Sequence, residues 1–215
     1  MSNRSTTLDE LLAALVADEA NAVRLVRATP EIAQARVATE RLVEEVPHQL
    51  YVGDTPLHLA AAALGPLAVA ALIEAGADPN AENRRGATAL HYACDARPNA
   101  GKTWSPSKQR SVIELLLDAG SDIEHKDKAG ATPLHRAVRA RSPEAVRSLL
   151  ERGAHVDATH GRQRTTPLHI VTHSTGASGT KGARAEQQEI VDLLLHYGAD
   201  RQAKDANGNL PRIRA

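Results

Sequence analysis

The sequence predicts an all-α repeat: a solenoid of stacked helix pairs with projecting loops or hairpins, in one elongated domain. Three observations carry this. One phrase occurs four times, as Thr55-Pro56-Leu57-His58-Leu59-Ala60, Thr88-Ala89-Leu90-His91-Tyr92-Ala93, Thr132-Pro133-Leu134-His135-Arg136-Ala137 and Thr166-Pro167-Leu168-His169-Ile170-Val171. A second phrase follows each: Leu72-Ile73-Glu74-Ala75-Gly76-Ala77-Asp78, Leu116-Leu117-Asp118-Ala119-Gly120-Ser121-Asp122, Leu149-Leu150-Glu151-Arg152-Gly153-Ala154-His155 and Leu194-Leu195-His196-Tyr197-Gly198-Ala199-Asp200. Finally, the 215 residues include no Phe and one Trp. That is sparse for a globular core of this length, whereas a stack built from Leu, Ala and Val needs no more.

Each phrase has a local physical reading. Thr at the start caps a helix, and Pro at the first helical position forfeits no useful donor. Leu and Ala then face inward. The second helix ends at Gly, which accepts the left-handed conformation of a C-cap. A polar stretch returns the chain to the next Thr. No such unit buries its apolar face alone, so its stability comes from stacking. With a period near 33 residues and a Thr-Pro-Leu-His-x-Ala signature, the pattern resembles the ankyrin repeat. The resemblance is strong over 51–209 and weak over 8–50.

In chain order, residues 1–7 are expected to be a disordered tail and 8–215 a single domain. Leu8, Leu11, Leu12 and Leu15 have helical spacing, as do Ala22, Leu25 and Val26. Two short helices there make an atypical capping repeat, which with the following insert occupies 8–50. Within it, Val37, Leu42, Val43 and Val46 suggest an extra helix, stopped by Pro47. A near-ideal repeat spans 51–82. The next, 83–126, is long: Gly120 follows Thr88 by 32 positions, against 21 from Thr55 to Gly76. The added residues fall between its helices, in an insert over 95–110. A regular repeat covers 127–159. The fourth, 160–204, is long again, with an insert over 172–188 and one additional residue in its finger. Residues 205–215 begin a fifth unit that is not finished, and the apolar stripe of the last helix, with Ile190, Leu193, Leu194 and Tyr197 facing inward, awaits a cover from Leu210 and Ile213 or from self-association.

Composition narrows the function. Lys plus Arg and Asp plus Glu each number 26, so no global attraction to nucleic acid or membrane is expected. A single Cys fits a reducing compartment and a cytoplasmic protein. No apolar stretch approaches the length of a membrane span.

Chemistry finds little purchase. His58, His91, His135 and His169 recur with the repeat, about a helix diameter apart, too far to converge on one metal ion. With Thr55, Thr88, Thr132 and Thr166 they read as structural; in the family the His links neighbouring fingers by hydrogen bonds. Gly101-Lys102-Thr103 resembles the end of a phosphate loop, but Ala96 stands where the motif's first Gly belongs. Cys94 follows Ala93 on a first helix and reads as packed. No cofactor or metal is expected, and no enzyme. The weakest alternative is an active site between the Trp104 insert and the stack, using Cys94, Lys102 and Trp104.

The resemblance implies a non-enzymatic module that binds a protein or peptide along a concave face of fingers and first helices. Carried residue by residue, it singles out Tyr51, Val52, Asp54, Glu82, Arg84, Arg85, Lys126, Lys128, Arg139, Arg162, Arg164, His173 and Lys204. A second reading binds through the inserts, with Arg97, Lys102, Trp104, Lys108, Arg110, Lys181 and Arg184. Most of these are basic and would also suit nucleic acid, but zero net charge and one Trp give that partner little support.

Overall fold

The computed structural model describes residues 7–43, 48–96, 104–172 and 183–213. Ten α-helices among them form five antiparallel pairs. The first helices are α1 (Leu8–Ala17), α3 (Pro56–Ala62), α5 (Ala89–Asp95), α7 (Pro133–Ala140) and α9 (Pro167–Thr172). The second helices are α2 (Glu19–Ala28), α4 (Pro66–Glu74), α6 (Pro106–Asp118), α8 (Pro143–Glu151) and α10 (Ala183–His196). Each first helix packs on the next first helix and each second helix on the next second helix, giving two parallel layers. The predicted all-α ankyrin solenoid is the observed architecture.

The core repeats as the sequence does. Leu57, Leu90, Leu134 and Leu168 form one buried row, and Leu72, Leu116, Leu149 and Leu194 the other. Every rung therefore buries leucines that its own unit alone would leave wet. At about 25 cal/mol per Å² of apolar surface, that burial is the main favourable term. Gly76 shows why the second phrase ends in glycine: its φ is 85°, and its N–H and that of Ala77 bond back to the carbonyls of Ile73 and Leu72.

Long and short repeats end their first helices differently. In the short ones the chain turns at once through Leu64 and Arg141, with φ of 54° and 57°. The N–H groups of Gly65 and Ser142 then satisfy the carbonyls of Ala60 and Ala137. In the long ones the equivalent carbonyls belong to Ala93 and Val171. Each accepts instead from a glutamine on the second helix, Gln109 Nε2 at 2.9 Å and Gln187 Nε2 at 2.5 Å. Gln109 is fully buried, also donates to Ala96 O, and accepts from Ser142 Oγ and Trp104 Nε1. Part of the added length is helix: α6 has 13 residues where α4 has nine. Lys108 and Arg110 thus stand on α6 rather than in a loop.

Three expectations at the ends are corrected. Among the described residues no extra helix follows the capping pair; Val46 and Pro47 lie outside them. A 3₁₀ turn, Pro30–Gln34, is followed by β1 (Arg41–Val43) and β2 (His48–Leu50), which pair antiparallel with Leu42 opposite Gln49. β-branched residues and Pro47 disfavour helix here, and the extended form buries Leu50 while Leu42 stays 71% exposed. Thr7 belongs to the fold: with Glu10 it forms a capping box on α1. The rest of the expected tail, residues 1–6, lies outside the described residues. Tyr197 does not face inward but is 37% exposed, while Val191 is buried beside Ile190 and Leu194. The tail covers this end in part. Pro211 is buried, Arg212 N donates to Thr172 Oγ1, and Ile213 packs against the core, whereas Leu210 stays out.

Candidate concave binding face

The fingers between repeats are held by two sets of bonds that begin in the Thr-x-x-His phrase. The backbone N–H of Thr55, Thr88, Thr132 and Thr166 donates to Nδ1 of the His three residues on, at 3.1–3.2 Å. A backbone N–H only donates, so Nδ1 carries no proton and Nε2 does. Nε2 then donates to a carbonyl of the next finger: Ala87, Ala131, Ala158 and Asn209, each at 3.0–3.1 Å. Each His thus takes the capping-box place of Glu or Gln and ties its helix to the following finger. Burial lowers the pKa of His58, and lowers those of His91 and His135 to about 4. The neutral form that the bonding pattern requires is the form the burial enforces.

Adjacent fingers also bond directly. Arg84 N donates to Val52 O, Lys128 N to Arg85 O, and Ala206 N to Gln163 O. At Gly130 the next finger is so close that a Cβ would lie 3.0 Å from Gly161 N. Asp54 anchors the first finger from below. It is fully buried, accepts from Tyr51 N, Asn83 Nδ2 and the Tyr92 hydroxyl, and leaves Asn83 Oδ1 to accept from Arg85 N and Ala87 N. Burial and this carboxylate push the Tyr92 hydroxyl well above its usual pKa. Asp54 is therefore a support of the face and not part of its surface, because its carboxylate has three internal donors to satisfy.

The surface itself is mostly basic. Arg84 pairs with Glu40 at 2.6 Å, and Lys128 Nζ donates to Arg84 O. The guanidinium of Arg85 sits 4.5 Å above the ring of Tyr51, a cation–π pair. Val52 is half-buried, and Lys126, Arg162, Arg164 and Lys204 are exposed. Glu82 is the acidic exception, with its carboxylate 3.4 Å from His125 Nε2. On α7, Arg136 is enclosed between Asp95, at 2.8 Å, and Asp127. Arg139 reaches Asp95 only at 3.4 Å.

Two hollows lie along this face. One, of about 190 Å³, is polar and bordered by Tyr51, Arg85, Tyr92, Asp95 and Arg136. The other, of about 330 Å³, is mostly apolar and lies between α7 and α9: Val138, Ile170 and Val171 floor it, Arg139 and Arg141 rim it, and His160, Gln163 and Thr165 close it from the fourth finger. Sequence reading missed the second hollow, although the fourth finger's additional residue was its signal. There His160 and Thr165 bridge into a hairpin turned by Gly161 and Arg164.

The insert candidates are less available. Arg110 is engaged by Glu114, Glu144 and Glu151, and Trp104 is half-buried against Gln109. Lys108 is exposed, and Arg184 belongs to α10. Arg97, Lys102, His173 and Lys181 lie outside the described residues. Cys94 is fully buried and its thiol pKa is pushed up by burial, the opposite of what a thiolate nucleophile needs. Among the described residues no cluster of His, Cys, Asp or Glu is arranged to hold a metal ion. No helix there is long and apolar enough to cross a membrane.

Two helical layers with a bonded row of fingers along one edge define a repeat scaffold. The chain belongs to the ankyrin-repeat family: the family model described as "Ankyrin repeats (3 copies)" matches residues 12–103 and 105–205. Among curated proteins it is similar to the B-cell lymphoma 3 protein homolog of Mus musculus, 36% identical over 157 residues, which are 73% of this chain and 31% of that protein. It is 35% identical over 180 residues to the B-cell lymphoma 3 protein of Homo sapiens, covering 74% of this chain and 38% of that protein. A shorter match, 52% identical over 52 residues, is to the human neurogenic locus notch homolog protein 4, covering 23% of this chain and 3% of that protein. The chain spans about a third of the length of the two B-cell lymphoma 3 proteins. Repeat arrays of this family are non-enzymatic scaffolds with a general role in protein–protein interaction.

Proposed function

We propose that the chain binds a protein or peptide along the concave face made by its fingers and first helices. The observation that carries this is the pairing of rigidity with display. The fingers are locked by the four His bonds, so Arg84, Arg85, Lys128, Arg139, Arg162 and Arg164 are presented from a pre-ordered surface. Pre-ordering lowers the entropy lost on binding. Arg84 is paired with Glu40, but Asp95 and Asp127 are taken up by Arg136, and Arg85, Arg162 and Arg164 make no ion pair among the described residues. The inserts offer less, because Arg110 and Trp104 already have internal partners. The single buried Cys94 suits a reducing, cytoplasmic setting.

Crosslinking with mass spectrometry in native extract identifies partners and maps their contacts. The proposal expects crosslinks at Lys126, Lys128 and Lys204, and loss of partner recovery when Arg84, Arg85 and Lys128 are changed to Glu. Unchanged recovery from that variant, with crosslinks confined to Lys108 and the second helices, overturns it.

A further inference from the structure

We propose that the hollow between α7 and α9 is an anchor pocket for an acidic peptide segment bearing one aliphatic or aromatic side chain. This rests on the concave-face reading and makes it specific. The floor is apolar: Ile170 is half-exposed above the buried Val138 and Val171. At about 330 Å³ it is at the small end of the range for ligand sites, enough for an anchor side chain and its backbone.

The charge around the floor selects the rest of the ligand. Arg139 is 53% exposed, and the acid it touches, Asp95, is already bonded to Arg136. Arg162 and Arg164, on the hairpin that closes the hollow, make no ion pair among the described residues and are exposed. An acidic segment supplies what these cations lack, and Arg is suited to bidentate recognition of carboxylates. Peptide fits better than nucleic acid. Among the described residues no Tyr, Trp or Phe lines the hollow to stack a base, and a phosphate backbone leaves the apolar floor unfilled.

The hollow comes from the fourth finger. Neighbouring fingers elsewhere share a backbone hydrogen bond, from Arg84 to Val52, from Lys128 to Arg85 and from Ala206 to Gln163. The third and fourth fingers share none among the described residues. The two fingers still touch, Gly130 against Gly161, but the extra residue folds the chain into the His160–Thr165 hairpin, which closes the hollow in place of that bond.

The test uses the full chain and a phage-displayed library of random dodecapeptides. Enriched peptides are expected to combine several acids with one Leu, Ile, Val, Phe or Trp at a constant position. A fluorescein-labelled synthetic copy of one should bind saturably in fluorescence polarisation. Arg139→Glu, an exposed change that leaves the fold intact, should weaken it at least about tenfold. Ile170→Ser should weaken it about tenfold, and so should Ser in place of the peptide's anchor. The two losses should not add, because they remove the same contact. Circular dichroism on each variant separates lost binding from lost folding. No enrichment, enriched peptides without excess acid, indifference to Arg139→Glu, or displacement by a single-stranded oligonucleotide at equal concentration overturns the pocket. If binding is lost only in Arg84→Glu/Arg85→Glu, the pocket is wrong and the wider concave-face reading stands. If peptides bind and neither pair of changes matters, both fail.

Discussion

Acid should unfold this protein through its buried histidines, in a window that the bonding pattern sets. His91 and His135 hold neutral rings whose pKa burial lowers to about 4, against about 6.5 in an unfolded chain. The folded pKa is the lower one, so their contribution is complete above about pH 6.5 and is lost as pH falls toward 4. Each unfolded-state proton without a folded counterpart costs about 1.4 kcal/mol per pH unit. Between pH about 7.5 and about 5 this amounts to ~2 kcal/mol per ring, or ~4 kcal/mol for the two. Burial of His58 acts in the same direction. Nearby charges are part of these environments: His125 and Arg136 oppose protonation of His91 while Asp127 favours it, and His160 and Lys126 oppose that of His135. The assay is urea unfolding followed by far-UV circular dichroism at both pH values. With a slope of roughly 2–3 kcal/mol per molar urea, the midpoint should fall by about 1–2 M. The His91→Gln/His135→Gln variant starts less stable but should lose most of the pH dependence. A parent whose stability changes by less than about 1 kcal/mol over this window, or a double variant that keeps the full dependence, refutes the assignment of neutral, Nε2-protonated rings.

Other outcomes follow from single contacts. Gln109→Ala strands the carbonyls of Ala93 and Ala96 and should cost about 1–3 kcal/mol in urea unfolding; the exposed Lys108→Ala one position away should cost almost nothing. Asp54→Ala leaves Tyr92, Asn83 and Tyr51 N without their acceptor and should cost ~2–3 kcal/mol, with faster hydrogen exchange over 83–87. Leu116→Ala, in the middle of the second-helix row, should cost about 2–5 kcal/mol. Deleting residues 210–215 removes Ile213 from the core and the Arg212 N bond from Thr172 and should lower Tm by roughly 2–4 °C for ~1 kcal/mol of lost burial. If the molar mass by light scattering also falls on that deletion, the exposed Tyr197 and Leu210 belong to a self-association surface.

The stack was legible because its units repeat. Thr55, Pro56 and His58 specify a cap, a first turn and a tie through contacts within four residues or to the next finger. Four copies remove the ambiguity that a single helical phrase carries. The region 35–50 has no repeat to align with, and its valines and leucine fit helical spacing only loosely. There Leu50 settles the matter by being buried, which no local propensity encodes. Asp54 misled for a related reason. It stands where the family displays a binding residue, and nothing near it in sequence shows that Asn83 and Tyr92 converge on it.

The sequence by itself determined the repeat, the starts of the four first helices and the ends of the four second helices after the capping pair, and the inward leucines. These depend on local backbone chemistry and on a period that the eye can count. Only the tertiary structure decided which carbonyls the inserts leave for Gln109 and Gln187, which charges cancel around Arg136, and where two fingers lack a direct backbone bond beside the hollow at Ile170. Each of these joins residues from different repeats, and such contacts come from stacking geometry, which a linear pattern does not contain.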